Sequence, residues 1–280
     1  MKKQILIFIC LLITIKTTAQ ANDSEALLYN VCISGVFASI GSIINKDPNE
    51  KINKVILKGF AQGSLGGIVT FGSKCLLREN ERQQNLNYSL AAKIINATGT
   101  SIIENAAMNK NFWEKWHINI GFNRFEFETR NQFKINYKFM PISFVYITDA
   151  FFRYDKFEFD TSLKTGEFIF STKNLYYNRG ATLAGYIVLQ NKFIQDPQII
   201  THETIHIYQS NTFSVLNTYF QKPLNKISAK NKTINFLNKH FYFDLHYLPL
   251  RLSYISQNKS SNYYVNFFEH EAGYYSSTLY

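Results

Sequence analysis

Charge is scarce in this chain and cysteine nearly absent, and each shortage narrows what the protein can be. Only 18% of the 280 residues are charged, against 46% hydrophobic. That excludes a disordered, self-repelling chain and leaves enough apolar side chains for a proper buried core. No dense run of Lys or Arg occurs, although the formal net charge is +10, so nucleic-acid binding has no motif behind it. The charge reads as scattered over the surface or, in a sharper reading, as attraction to an anionic partner such as a membrane surface. There is no internal repeat and no low-complexity linker, which leaves one compact unit as the economical organisation. Of the three cysteines, Cys10 falls in the leader described next. Cys32 and Cys75 remain, either as one disulfide or as two buried free thiols.

The N-terminus has the three parts of an export signal. Met1, Lys2 and Lys3 form a short basic start, and residues 5–15 an apolar stretch too short to span a bilayer comfortably. Thr17, Thr18 and Ala19 place small residues before a cut at Gln20. Residues 1–19 are therefore expected to be a cleaved signal peptide, with an uncleaved anchor as the alternative. Export places the mature chain in the periplasm, on the outer-membrane surface or outside the cell.

Beyond the leader the hydrophobic period changes once. Residues 20–112 read as helical and rich in small side chains. Residues 26–45 carry no charge, but Asn30, Ser34, Gly35, Ser39, Gly41 and Ser42 dilute their hydrophobicity. This predicts a buried helix, with a membrane span as the alternative. Asp47, Pro48 and Asn49 break it. Residues 55–77 form the next helix, where Gly59 and Gly63 let another backbone approach. Residues 78–84 are a connector, and residues 88–108 a third helix with small residues throughout. From Trp116 the period becomes two. Residues 118–128 and 133–139 read as a hairpin, and 142–148, 156–160, 167–171 and 182–190 as further strands. Aromatics, with 25 Phe and 18 Tyr, suit such strands. The expected fold class is α+β, with a helical N-terminal layer, an antiparallel sheet and a C-terminal helical site over residues 113–280.

That site begins with His202, Glu203, Thr204, Ile205 and His206. On a helix, residues four apart share a face, so both imidazoles reach one metal ion. Glu203, beside His202, reaches a water on that metal. Asp196 and Pro197 are a helix-start signal, and Ile199, Ile200, Ile205 and Ile207 supply apolar surface for packing. Candidates for a third ligand lie downstream in Glu269, His270 and Glu271. His117 reads as structural. His240, His246, Tyr263 and Tyr264 could donate to an oxyanion but are assigned no role.

The His-Glu-x-x-His motif resembles that of the zincin metallopeptidases, in particular those whose third ligand is a glutamate on a later helix, the gluzincins. Many of these carry Glu followed three positions later by Ala, which here match Glu269 and Ala272. The Asp that often follows the Ala is replaced by Gly273, so its orienting contact is missing or comes from elsewhere. The resemblance covers roughly the last 80 to 100 residues. It implies Zn2+ held by His202, His206 and Glu269, with Glu203 as general base and a peptide or protein substrate. It also implies an edge strand beside the site helix that pairs with extended substrate, a place taken in chain order by residues 184–190. The expectation is an exported zinc-dependent metallohydrolase. The alternative is a non-catalytic cell-envelope or outer-membrane-associated protein in which the motif is retained or accidental.

Overall fold

The computed structural model describes residues 22–175, 179–257 and 263–279. The expected signal peptide lies outside them. Helix α1 (Asp23–Ile44) starts where the Asn22 side chain accepts from the Glu25 backbone N–H, with Asp23 and Glu25 in its first turn. Helices α2 (Ile52–Arg82) and α3 (Ser89–Ala107) follow. The expected connector at 78–84 is mostly helix: α2 runs on to residue 82, with Arg78 paired to Asp23 of α1 and buried Asn80 donating to Ser89 at the start of α3.

The three helices meet through small residues, as expected. A Cβ added at Gly63 would come within 2.6 Å of the Ser34 carbonyl oxygen on α1. On another side of α2, one at Gly66 would come within 2.7 Å of the Gly99 carbonyl on α3. Only a hydrogen fits at these crossings, so the backbones approach more closely than side chains allow. Among the described residues α1 is the one helix long and apolar enough to cross a membrane. In the fold it packs against both α2 and α3.

Strands β1 (Lys115–Ile120), β2 (Asn123–Glu128) and β3 (Lys134–Phe139) form an antiparallel sheet with Trp116 opposite Phe127 and Phe125 opposite Tyr137. The alternation is as read, but its inner face is the charged one. Arg124 and Glu126 are buried, while Ile135 and Tyr137 are exposed. Arg124 is fully enclosed, bonded to Glu104 of α3 at 2.6 Å and to Glu126 at 2.8 Å, with the Tyr242 ring 4.0 Å away. Neutralisation within this network is what allows the charges inside. His117 is structural, enclosed between Thr100 and Ser101.

Residues 142–148, expected as a strand, are helical in α4 (Pro141–Arg153). Their β-branched content is overridden by position. Ser143, Ile147 and Ala150 form a buried stripe at helical spacing, and Pro141 fits the first turn. The expected strand at 156–160 is only β4 (Lys156–Phe157), followed by α5 (Phe159–Thr165). Strand β5 (Phe168–Thr172) lies where expected. The single strand expected over 182–190 is two strands, β6 (Gly180–Leu183) and β7 (Tyr186–Gln190), reversed at Gly185 with φ +92°. The second sheet runs β4-β5-β7-β6, mixed because β5 and β7 are parallel. The remaining helices are α6 (Pro197–Phe213), α7 (Gln221–Ser228), α8 (Lys232–His240), α9 (Tyr247–Gln257) and α10 (Phe267–Ser276).

One apolar core runs across the boundary drawn at 112. Ala26, Leu77 and Ala92 of the helical layer share it with Ile187 and Leu189 of β7, Ile200 and Ile205 of α6, and Ala272 of α10. The helical layer is thus the floor on which α6 and α10 are set. Cys32 and Cys75 are free thiols.

Candidate metal centre

Helix α6 begins as its sequence dictates. The Asp196 carboxylate accepts from the Gln198 and Ile199 backbone N–H groups, and Pro197 occupies the first turn. The helix is buried nearly all round, with Ile199, Ile200, Ile205 and Ile207 in the apolar core. His202 and His206, one turn apart, leave that core together. Helix α10 is capped by the Asn266 side chain, which accepts from the Phe268 N–H. It presents Glu269 from its first turn.

His202, His206 and Glu269 form a group able to hold a metal ion. Both imidazoles turn Nε2 toward one carboxylate oxygen, Glu269 Oε2, at 3.2 Å from His202 and 3.4 Å from His206. Four ligands about 2.0–2.1 Å from a tetrahedral zinc lie about 3.3 Å from one another. The two N–O separations match the edge length of that figure, and the donor set of two imidazoles and a carboxylate suits it.

Each ring is held from behind. His202 Nδ1 faces the Ser276 and Thr278 hydroxyls, both at 3.3 Å. His206 Nδ1 lies 2.8 Å from Gln209 Oε1. The Gln209 amide cannot be reversed without loss, because its NH2 donates to the Phe268 carbonyl and to Glu271 Oε2, each at 2.9 Å. Its oxygen thus requires a proton on His206 Nδ1, which in the neutral ring leaves the Nε2 lone pair for a metal. Behind Gln209, Glu271 pairs with Lys74 at 2.7 Å, and Lys74 also donates to Asn30 Oδ1. This line of contacts from α1 and α2 holds His206, and it supplies orientation that Gly273 lacks the side chain to give.

The surroundings favour a cation. Burial pulls the His206 pKa down, but the hydrogen bond and charge of Glu269, then Glu203 and Gln209, outweigh it and hold the group at about 9. Burial pushes the Glu269 carboxyl up, yet its bonds to His202, His206 and Tyr254 win and keep it far below the usual carboxylate range. Tyr254 of α9 donates to Glu269 Oε1 at 2.6 Å, and the Tyr263 phenol lies near the same carboxylate. Burial, with this carboxylate, raises both phenols well above the usual range.

Glu203 is oriented by the start of β6. Thr182 Oγ1 donates to Glu203 Oε2 at 2.8 Å, and a Cβ at position 180 would come within 2.9 Å of Glu203 Oε1, so Gly180 makes room for the carboxylate. The site is closely covered, with Glu269 3% and Glu203 6% exposed. His206 is the most open of the three candidate ligands, its side chain 16% exposed.

Of the three acidic-segment candidates, only Glu269 joins the histidines. Glu271 points to Lys74, and His270 lies outside the group. Of the other residues considered, Tyr263 reaches the site. Tyr264 bonds to the Thr278 carbonyl, His240 packs at a tilt against Phe236, and His246 is buried against Asn217. The strand at 184–190 is not the edge. β7 lies inside the sheet, and β6 is the edge strand packed on α6. Sequence reasoning missed Tyr254, Gly180, Thr182 and the supporting role of Gln209. Only Gln209 had a signal, its place seven residues after His202 on the same helical face. No protein-family model, curated protein or solved structure matches the chain.

Proposed function

We propose that the chain is an exported zinc-dependent metallohydrolase that cleaves peptide bonds, with His202, His206 and Glu269 as ligands and Glu203 as general base. The observation that carries this reading is the convergence of both Nε2 atoms on Glu269 Oε2 at tetrahedral-edge distances, with Glu203 next to His202 on the same helix. Zinc in this group would acidify a bound water and polarise a carbonyl. Glu203, steered by Thr182, takes the proton from the attacking water and returns it to the leaving amine. Tyr254 fixes the Glu269 carboxylate. The outer edge of β6 offers unpaired backbone groups to an extended peptide, which aligns its carbonyl over Glu203.

Metal analysis of the purified protein beside His202→Ala tests the site. About one equivalent of zinc in the wild type and loss in the variant are expected. Glu203→Gln tests the chemistry: zinc is kept, and cleavage of a mixed peptide library slows roughly 10²- to 10⁴-fold. Unchanged turnover would exclude Glu203 as base. The close cover over Glu203 and Glu269 favours a second reading, a metal clip in a cell-envelope protein without turnover. Zinc retained with no cleavage of any library peptide would select it.

A further inference from the structure

The segment from α7 to α9 has a composition unlike the rest of the chain. Residues 220–257 contain six cations and one carboxylate, Asp244, which is fully buried against Ser143. Lys222 is spent on Asp47 of the α1–α2 turn. Lys226, Lys230, Lys232, Lys239 and Arg251 are exposed. Large apolar side chains stand among them in the open: Phe236, Phe243, Leu245, Leu248, Leu252 and Ile255.

These side chains are ordered. On α8, Phe236 shares a helical face with Lys232 and Lys239, at the i−4 and i+3 positions. Its ring meets Phe241 at 6.2 Å, and Phe241 meets Phe243 at 6.1 Å, so the apolar surface continues off the helix toward α9. On α9, Leu248, Leu252 and Ile255 repeat at i, i+4 and i+7, a single stripe that also holds Arg251, and they are 56–64% exposed. Apolar side chains left in water at helical spacing, with Arg251 in the α9 stripe and Lys232 and Lys239 beside Phe236 on α8, form the pattern of helices lying in a membrane interface.

We propose that α7–α9 is a docking surface for an anionic lipid bilayer. The apolar side chains enter the headgroup–acyl boundary and the Lys and Arg stems reach back to lipid phosphates. Charge decides against a second copy of the chain, since a symmetric contact would set five exposed cations against five with no exposed carboxylate in the segment. The proposal is independent of the metal reading, although α9 joins the two sites: Tyr254 on this helix bonds to Glu269. A membrane bound there lies about one helix diameter, ~10 Å, from the histidines.

The test is sedimentation of the full chain with phosphatidylcholine vesicles and with vesicles carrying phosphatidylglycerol. Two variants are compared with the wild type, Lys230→Glu/Lys232→Glu/Lys239→Glu and Leu248→Ser/Leu252→Ser. All carry the same residues 5–15, so any contribution of that apolar stretch cancels. All altered positions are exposed, and circular dichroism verifies the fold. Wild type is expected to prefer the anionic vesicles and to release with salt. The charge variant should bind them at least about 10²-fold more weakly, at roughly fivefold for each cation removed and more from the repulsion of the added carboxylates, and the leucine variant should also lose affinity. Equal sedimentation of wild type and both variants overturns the proposal. So does a wild-type dimer in light scattering that Leu248→Ser/Leu252→Ser dissolves, which assigns the face to a second copy, or capture by soluble polyanions as strong as by vesicles.

Discussion

Glu269 and Glu271 are two residues apart on α10, and exchanging each for Gln should separate metal binding from stability. Glu271→Gln keeps the shape but removes the negative charge beside Lys74, whose ammonium is 2.7 Å away and whose side chain is 2% exposed. Asn30 remains as a neutral acceptor. Removing one partner of a buried pair costs about 3–5 kcal/mol, because the remaining charge is left uncompensated. At about 2–4 °C per kcal/mol for a chain of this size, the apo protein should melt roughly 6–20 °C lower. Zinc should still bind, weakened only through the Gln209 contact. Glu269→Gln removes a ligand, so zinc should be lost; the apo melt should fall less than in Glu271→Gln, because His206, held protonated by Glu269, can release its proton once the carboxylate is gone, which the Lys74 ammonium does far less readily. The assay is a thermal melt with chelator and with zinc, together with metal content after dialysis. If Glu271→Gln does not fold, Lys74→Met/Glu271→Met should recover most of the loss, since it removes both charges together. Loss of zinc in Glu271→Gln with an unchanged apo melt would refute the division of labour between the two carboxylates.

Gln209→Leu should lower zinc affinity about 10- to 100-fold by releasing His206 Nδ1, read by competition with a chromogenic chelator; unchanged affinity would remove Gln209 from the site. Gly63→Val should destabilise by about 2 kcal/mol or more, since its side chain meets the Ser34 carbonyl and Ala38 across the α1–α2 crossing; a urea melt measures this. Stability should fall as pH drops from about 6.5 toward 3, the span between ordinary and folded pKa for His117 and His246. Burial holds both at about 3, so the unfolded chain binds protons there that the folded chain excludes, and protonation favours unfolding. Glu104 acts in the same direction lower down. Burial raises its pKa, but Arg124, His117 and Lys115 outweigh this and hold it at about 2, so its contribution is present above 4.5 and lost as pH falls through 2. Urea midpoints at pH 7, 5 and 4 should decrease in that order, and a flat profile would contradict the burial of these groups.

Local sequence determined what depends on local geometry. Residues at i and i+4 share a helical face wherever the helix lies, so His202 and His206 were legible as a pair. Asp196 and Pro197 marked the start of α6 because capping needs only the next three residues. The glycines of α2 announced a close helix crossing, since a missing Cβ has that effect in any fold. Period two likewise identified β1 to β3. It could not say which face turns inward, and here Arg124 and Glu126 do, because Glu104 arrives from α3 to neutralise them. Residues 142–148 were misread for a related reason, their β-branched side chains outweighed by a buried stripe at helical spacing. The candidate ligands show the division most plainly. Two residues along an α-helix is a turn of about 200°, so Glu269 and Glu271 face nearly opposite ways. Each is a carboxylate near Ala272 in a buried helix; the zincin resemblance favoured Glu269 through its spacing to Ala272, but local geometry alone does not tell which one meets the histidines. The docking of α10 between α6 and α2 decides it, setting Glu269 against His202 and His206 and Glu271 against Lys74, contacts made across 67 and 197 residues of chain.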